Sequence, residues 1–303
     1  MTGRYSGMAL LIEAAPAKVN LTLAVRGRRA DGYHLLDSLV VFAGVGDRLT
    51  LAPGPALTLK VRGATAEQAG AIESNLVFKA AVALAAVIPD LKLGRFTLDK
   101  RLPVAAGLGG GSSDAGAALR LLARANRIGL GDPRLQKVAR RLGADVPVCV
   151  DPRPRRMRGI GEKLSPPLAM PKLAAVLVNP GVAVPTNDVF AMLGLKPGGG
   201  IKRLAKARAL PCDGAGLIEL LAEERNDLEP AAIKLQPVIE RVIAALRGAP
   251  GCRLARMSGS GATCFGLFTS ARAAAAAARS ISTAQPRWWV KATVLGYRAT
   301  GRS

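Results

Sequence analysis

The sequence predicts an α+β protein in two domains, and three observations carry that expectation. Runs with an apolar residue at every second position, Val19-Asn-Leu21-Thr-Leu23-Ala-Val25 and Leu57-Thr-Leu59-Lys-Val61, mark an opening third made mainly of sheet. Later strands alternate with helices in no regular βαβ order, so mostly antiparallel sheets with helices on one face are expected. The third observation is size. A chain of 303 residues, 50% apolar and 21% charged, has material for more than one core and is not disordered throughout.

The elements follow in order. Ser74-Asn75 offers N-cap side chains to a helix reaching about Val87, where Pro89 stops it. A strand is expected at Gly94–Leu98. After the loop Arg101–Gly111, the segment Ser112–Arg127 reads as a helix with Leu119 and Leu122 on one face. Asp132-Pro133 caps the next helix, to about Leu142. The stretch Asp151–Pro171, with five prolines and four arginines, reads as a loop and a domain boundary. The expected division is therefore a flexible tail over 1–8, an N-terminal domain over 9–171 and a C-terminal domain over 172–303. Within the last, Leu173–Val178 reads as a buried strand, Thr186–Leu193 as a short helix and Leu228–Arg247 as one longer helix. Cys252–Met257 and Thr263–Phe268 read as strands around a Ser-Gly-Ser-Gly turn. Six consecutive alanines place a helix at Ala271–Arg279, and Trp288–Leu295 is the final strand.

Lysine and arginine number 43 against 21 acidic residues, a net charge of +22. Such a field attracts polyanions, so nucleic acid, anionic lipid and phosphorylated small molecules are all possible partners by composition. Six Phe, three Tyr and two Trp are too few for the stacking platforms of single-strand binders. The cations are also spread along the chain, from Arg28-Arg29 through Arg140-Arg141 and 153–158 to Arg272, as on a solvated surface. Cysteines 149, 212, 252 and 264 include no C-x-x-C pair, and His34 is the sole histidine, so no structural zinc site assembles. Reduced thiols in a cytoplasmic protein are expected. The apolar stretches Met8–Ile12 and Ala80–Ile88 are too short for a signal peptide or a membrane span. A monomer or weak homodimer is expected, with no membrane partner.

The sharpest local feature is Leu102-Pro-Val-Ala-Ala-Gly107-Leu-Gly109-Gly110-Gly111-Ser112-Ser113-Asp114, between an expected strand and an expected helix. Glycines let the backbone take positive φ and approach a ligand, and the helix N-terminus presents free N–H groups to phosphate. The hydroxyls of Ser112 and Ser113 are of the type that reaches a phosphate oxygen or a metal ion. A flexible linker has the same composition but does not sit between a strand and a helix. A Walker loop is absent because no lysine follows the glycines, and a dinucleotide fingerprint fails at its third glycine. Protein-kinase signatures and a G-x-S-x-G elbow are absent as well.

Pro103-Val104-Ala105-Ala106-Gly107-Leu108-Gly109, followed by Gly110-Gly111-Ser112-Ser113, resembles the P-x-x-x-G-L-G-S-S hallmark of the GHMP kinase superfamily, with two extra glycines. Pro16-Ala-Lys18-Val-Asn20-Leu, Gly27-Arg-Arg-Ala-Asp-Gly-Tyr33-His34, Gly143-Ala-Asp145-Val-Pro147 and Ser258-Gly-Ser-Gly-Ala262 extend the resemblance over nearly the whole chain. The resemblance implies an N-terminal ribosomal-protein-like sheet with helices and a C-terminal ferredoxin-like α/β sandwich. It also implies phosphorylation of the 2-hydroxyl of a cytidine-diphosphate-linked methylerythritol, with ATP as co-substrate and Mg²⁺ expected, in non-mevalonate isoprenoid precursor synthesis.

By resemblance, Asp145 is the catalytic base and Lys18 its partner. A carboxylate near an acceptor hydroxyl can take its proton, and a cation beside it attracts the transferring phosphoryl group. Residues 103–113, Asn75 and Lys100 are implied for ATP, with Ser113 as a possible metal ligand. Asn20, Tyr33, His34, Thr186 and Phe190 are implied for the cytidine-bearing substrate, Tyr33 and Phe190 offering faces to the base and His34 an edge hydrogen bond. Asn75 is equally suited to capping a helix. The arginines of 153–158 depart from the family pattern and either shield a triphosphate or are solvated. Val40 stands where an aromatic would add to the substrate pocket. The alternatives are another GHMP kinase, of mevalonate or homoserine type, and a basic nucleic-acid-binding protein.

Overall fold

A computed structural model describes residues 9–200 and 209–296; the expected tail over 1–8 lies outside them. The N-terminal half is organised by one long strand. After β1 (Leu11–Asn20) and β2 (Ala24–Arg28), β3 (His34–Gly54) runs for 21 residues and pairs antiparallel with both. Next come β4 (Thr58–Arg62), α1 (Leu76–Ala85) and β5 (Leu93–Asp99), with β4 parallel to β5 and β5 antiparallel to β3. The helices α2 (Gly110–Ala125), α3 (Pro133–Leu142) and α4 (Val146–Val150) complete this half, and α1, α2 and α3 share one core with β1, β3 and β5. Caps fix their starts: the Asn75 side chain accepts from Val77 N–H, and Asp132 accepts from Arg134 N–H ahead of Pro133.

The stretch expected to be a loop holds two strands, β6 (Arg155–Gly159) and β7 (Lys163–Leu164). β6 pairs with β3 from Leu36↔Gly159 to Val40↔Arg155. Its period of two is present but written in arginine. Met157 is buried against Val40, Phe42, Val148 and Cys149, while Arg156 and Arg158 on the other face meet the buried Asp37. Val40, paired with Arg155 of β6, is thus fully buried and is not on the wall of the cavity over Lys18 and Asp145.

The C-terminal half follows as β8 (Leu173–Asn179), α5 (Thr186–Ala191), α6 (Gly214–Ala222), α7 (Glu229–Leu235), α8 (Val238–Arg247), β9 (Cys252–Met257), β10 (Cys264–Phe268), α9 (Ala271–Ala284) and β11 (Trp289–Leu295). Its strands lie in the order β11-β8-β10-β9, all antiparallel, with α8 and α9 packed against them: a ferredoxin-like sandwich. The single helix expected over Leu228–Arg247 is broken at Gln236-Pro237. Proline has no N–H to donate and drives Gln236 out of the helical region, to φ −138° and ψ 85°. Helices α4 and α6 had no counterpart in the sequence reading.

The halves are not separate bodies. Leu295 pairs with Ala43, joining both sheets through β3, and Leu23 pairs with Asn226. Val19, Leu21, Leu39 and Val41 share one core with Leu177, Leu217, Phe265 and Leu267. No described helix is long and apolar enough to cross a membrane.

One contact sets the approach of α4 to α2. A Cβ on Gly116 would lie 2.5 Å from the Cys149 carbonyl oxygen. Gly116→Ala is expected to overpack this contact at a cost of about 1–3 kcal/mol. Thermal unfolding should register a midpoint several degrees lower, and an unchanged midpoint would show that α4 yields freely.

Candidate active site

The glycine loop is built by close backbone approach. Ala105, Gly107 and Gly109 take φ of 52°, 72° and 59°. A Cβ on Gly107 would stand 2.5 Å from the Ser258 carbonyl oxygen and 2.8 Å from that of Gly261, so the Ser258–Gly261 turn of the C-terminal half presses on the loop. The Ser258 hydroxyl donates to Gly107 O at 3.0 Å and accepts from Asn20 N–H at 3.1 Å. Beneath Gly109 lies Lys18, whose N–H donates to Leu108 O at 2.9 Å. From here α2 begins. Ser113 N–H is bonded to Gly109 O, and the N–H groups of Gly110, Gly111 and Ser112 have no intrahelical acceptor, the arrangement that binds phosphate.

Lys18 Nζ sits 2.8 Å from Asp145 Oδ2, the ammonium almost fully buried and the carboxylate 35% exposed. Asp145 precedes α4 but its side chain does not cap it, leaving an oxygen to face solvent. Arg120 in α2 holds the partners' elements together: its guanidinium donates to Glu13 and Ala14 O on β1 and to Cys149 O on α4. Burial pushes the Cys149 thiol up to about 12, so it is no nucleophile.

A cavity of about 540 Å³ opens over this pair, with Lys18, Asp145, Asn20 and Ser112 on its walls. Asn20 Nδ2 donates to Ser38 Oγ at 2.7 Å, and its buried Oδ1 has no partner. Thr186 and Phe190 form the far wall, the Thr186 hydroxyl 2.8 Å from Ser260 Oγ. There a second cavity of about 800 Å³ begins, lined by Tyr33, His34 and Arg28. Another of about 600 Å³ lies near α7, but its most buried cation, Arg256, is taken by the carbonyls of Leu21, Leu221 and Glu224.

Several residues stand differently from the sequence expectation. Ser113 is fully buried and donates to Pro16 O at 2.8 Å, so it faces neither metal nor phosphate; Ser112 is the hydroxyl on the open side. Lys100 lies under the loop, its ammonium between Asp47 and Asp114. Asn75 is occupied as the cap of α1. Leu108 is in the core, and Pro103 and Val104 lie off the cavity, whereas Ala105, Ala106, Gly107 and Gly109–Ser112 line it. Phe190, expected to offer a face to the base, has one face covered by the His34 ring, centroids 4.6 Å apart and planes 25° off parallel. Tyr33 is 60% exposed. The arginines of 153–158 shield nothing: Arg153 and Arg155 pair with Asp151, and Arg156 and Arg158 with Asp37. Ser38 and Ser260, which the sequence expectation does not include, also line the cavity, and the Ser258-Gly-Ser-Gly-Ala262 motif is the signal that carries Ser260.

Burial, reinforced by Arg28, holds the His34 imidazole below its ordinary value of 6.5, so the ring is neutral at physiological pH. Its buried Nε2 has no partner.

Comparison with known proteins adds the following. The family described as GHMP kinases N terminal domain matches residues 75–151, and GHMP kinases C terminal matches 213–286. A protein of Xanthobacter autotrophicus named 4-diphosphocytidyl-2-C-methyl-D-erythritol kinase is 56% identical over 95% of this chain and its own full length. A Bradyrhizobium protein of the same name is 55% identical over 94% of this chain and 97% of its own. A crystal structure of a 4-(cytidine 5'-diphospho)-2C-methyl-D-erythritol kinase superposes with a TM-score of 0.74 at 36% identity, covering 95% of this chain and 100% of that one. A homoserine kinase from Cytophaga hutchinsonii, 20% identical over 97% of this chain and 98% of its own, shares the fold with a TM-score of 0.67.

The loop geometry generates a direct test. Gly109→Val puts a β-branched side chain at positive φ, 3.1 Å from the Lys18 side chain. The variant is expected to lose the thermal stabilisation that ATP with Mg²⁺ gives the parent chain. Full stabilisation of the variant would remove the triphosphate from this loop.

Proposed function

The chain belongs to the GHMP kinases, in their 4-diphosphocytidyl-2-C-methyl-D-erythritol kinase branch, and from that membership we propose that it transfers the γ-phosphoryl group of ATP to the 2-hydroxyl of 4-diphosphocytidyl-2-C-methyl-D-erythritol. The products are the 2-phosphate and ADP, and the reaction serves non-mevalonate isoprenoid precursor synthesis in the cytoplasm. The observation that carries the reading is the Lys18–Asp145 pair, 2.8 Å apart, placed between the N-terminus of α2 and the wall bearing Thr186 and Phe190.

The roles follow from position. The N–H groups that open α2, with the Ser112 hydroxyl, hold the triphosphate. Asp145 takes the proton of the 2-hydroxyl as that oxygen attacks the γ-phosphorus and the bond to the β-phosphate oxygen breaks, leaving ADP. Lys18 offsets negative charge on the transferring group. Asn20 Oδ1, a buried acceptor without a donor, is placed to take a hydrogen bond from an acceptor hydroxyl. The cytosine lies toward His34 and Phe190, at the junction of the two cavities.

The donor set fits a magnesium ion carried mainly by the triphosphate. Among the described residues no three His, Cys, Asp or Glu side chains converge, and Ser113 is engaged elsewhere. Asp145 and Ser112 are the groups that would help to hold the ion, which supplies charge neutralisation across the phosphate oxygens when bound.

Acceptor choice, two substitutions and a pH profile test the reading. In a phosphorylation assay offering the cytidyl substrate, mevalonate and homoserine, only the first is expected to be consumed. Asp145→Asn should keep fold and ATP binding while turnover falls by about 10²- to 10⁴-fold; near-normal turnover removes the base. His34→Ala should lower kcat/KM for the acceptor by about 5- to 150-fold with the KM for ATP steady, because only one substrate loses a buried polar partner. Since the lowered value leaves His34 mostly neutral at pH 6.5 and above, the rise in acceptor KM on acidification should be centred below pH 6.5. A rise centred above pH 6.5 would show that His34 is not the neutral contact.

A further inference from the structure

We propose that Asp47, Lys100 and Asp114 form a buried ionic tie that positions the glycine loop for ATP, with Lys100 and Asp114 acting as positioning residues that never touch the nucleotide. The inference rests on the reading of that loop as the triphosphate site. All three side chains lie beneath the loop, with residue exposures of 2%, 4% and 2%.

The connections run to both ends of the loop. Asp47, on β3, accepts from the N–H groups of Arg101 and Leu102 with one oxygen, at 2.5 and 2.8 Å, which fixes where the loop leaves β5. Its other oxygen meets Lys100 Nζ at 2.5 Å. The same ammonium reaches Asp114 Oδ2 at 2.8 Å, and Asp114 belongs to the opening turns of α2, where the loop ends. A Cβ on Gly110 would lie 3.3 Å from that Nζ, so the ammonium sits directly under the first residue of α2. The backbone of Lys100 is itself pinned, its N–H donating to Arg62 O at 2.6 Å and its carbonyl accepting from Thr65 N–H. One cation therefore holds start and finish of the segment whose N–H groups must converge on a phosphate.

Stability does not account for this cluster. Three buried charged groups are a poor substitute for apolar packing of the same volume, and one ammonium faces two carboxylates. Asp114 Oδ1 is moreover buried without a partner. Burial and the neighbouring Asp47 push the Asp114 carboxyl up to about 7 against the pull of Lys100. Burial alone would lower Lys100, but Asp114 and Asp47 hold it above its usual range. Asp47 takes two backbone N–H donors, from Arg101 and Leu102, that Asp114 lacks. What the arrangement supplies is a fixed geometry between β3, the loop and α2.

The test compares three variants by steady-state kinetics and by the thermal shift with ATP and MgCl₂. Asp114→Asn keeps an oxygen for Lys100 and is expected to retain the parent KM for ATP. Asp114→Leu removes it and should raise that KM by about 10- to 100-fold, the size expected for losing a charged hydrogen bond, with the acceptor KM little changed. Lys100→Met leaves two buried carboxylates facing each other and is apt to unfold, so Lys100→Met/Asp114→Asn is the informative form, with the same selective rise. An unchanged KM for ATP in folded Asp114→Leu, an equal rise for both substrates, or a loss in Asp114→Asn as large as in Asp114→Leu would each overturn the tie. If the parent chain shows no thermal shift with ATP, the assignment of the loop fails instead.

Discussion

The contact on which the site depends is backbone against backbone: Gly107 of one half against the Ser258 and Gly261 carbonyls of the other. At 2.5 and 2.8 Å from a hypothetical Cβ, no side chain fits, and the two turns meet only because both are written in glycine. Ser258 completes the seam by bridging Gly107 O and Asn20 N–H. Lys18, two residues before Asn20, is thereby set under Gly109, and the phosphate-facing turn of α2 and the ammonium share one register. Loosening the seam would displace the N–H groups from the ammonium even if neither half unfolded.

A second level of order concerns charge. With cations twice as numerous as acids, several acidic residues around the site are claimed by a specific guanidinium or ammonium. Asp37 takes Arg156 and Arg158, Glu13 takes Arg120 and Arg124, and Asp151 takes Arg153 and Arg155. Several of the cations also satisfy carbonyls at helix and strand ends, as Arg120 does for Ala14 and Cys149 and Arg256 for Leu21, Leu221 and Glu224. Part of the basic character is thus structural, with guanidinium donors satisfying carbonyls at buried backbone ends. The excess that remains on the surface favours the approach of anionic substrates without choosing among them.

Most of the fold was legible because its signals are local. The Asn75 and Asp132 caps and the alanine run at 273–278 each specify an element by short-range chemistry, whereas the period of two in residues 19–25 is not one strand: it spans the end of β1, a break at 21–23 where Leu23 bridges to Asn226, and the start of β2. What escaped depended on distant partners. Strand β6 alternates Arg-Met-Arg, which reads as solvated until Asp37 is placed beside it. The division of Leu228–Arg247 is legible in Pro237, although the apolar period runs through it unbroken. At the site, motif resemblance named the residues but not which way they face. Ser112 and Ser113 are adjacent and chemically identical; only the phase of α2 decides that the first opens on the cavity and the second on Pro16. Lys100 looks like any strand-end lysine until Asp47, 53 residues earlier, is brought beneath it.

With the cytosine placed as proposed, the stacked His34–Phe190 pair alters the logic of base recognition. A ring gripped between two aromatic faces would be selected for flatness, with purines and pyrimidines alike admitted. Here one face of each ring is used up inside the protein, so the pair acts as a single rigid wall. Discrimination then passes to edges, where the donor and acceptor pattern of cytosine differs from that of other bases. The imidazole suits this role because it is neutral and can present either a donor or an acceptor at Nε2, according to the proton on Nδ1. Arg28 binds the carbonyls of Gly32 and Leu195, joining the hairpin that carries His34 to the loop that follows Phe190. The same guanidinium disfavours protonation of the ring. One residue thus fixes the position of the wall and adds to the burial that keeps its imidazole neutral, so that in the proposed pocket specificity is a matter of rigidity before it is one of contact.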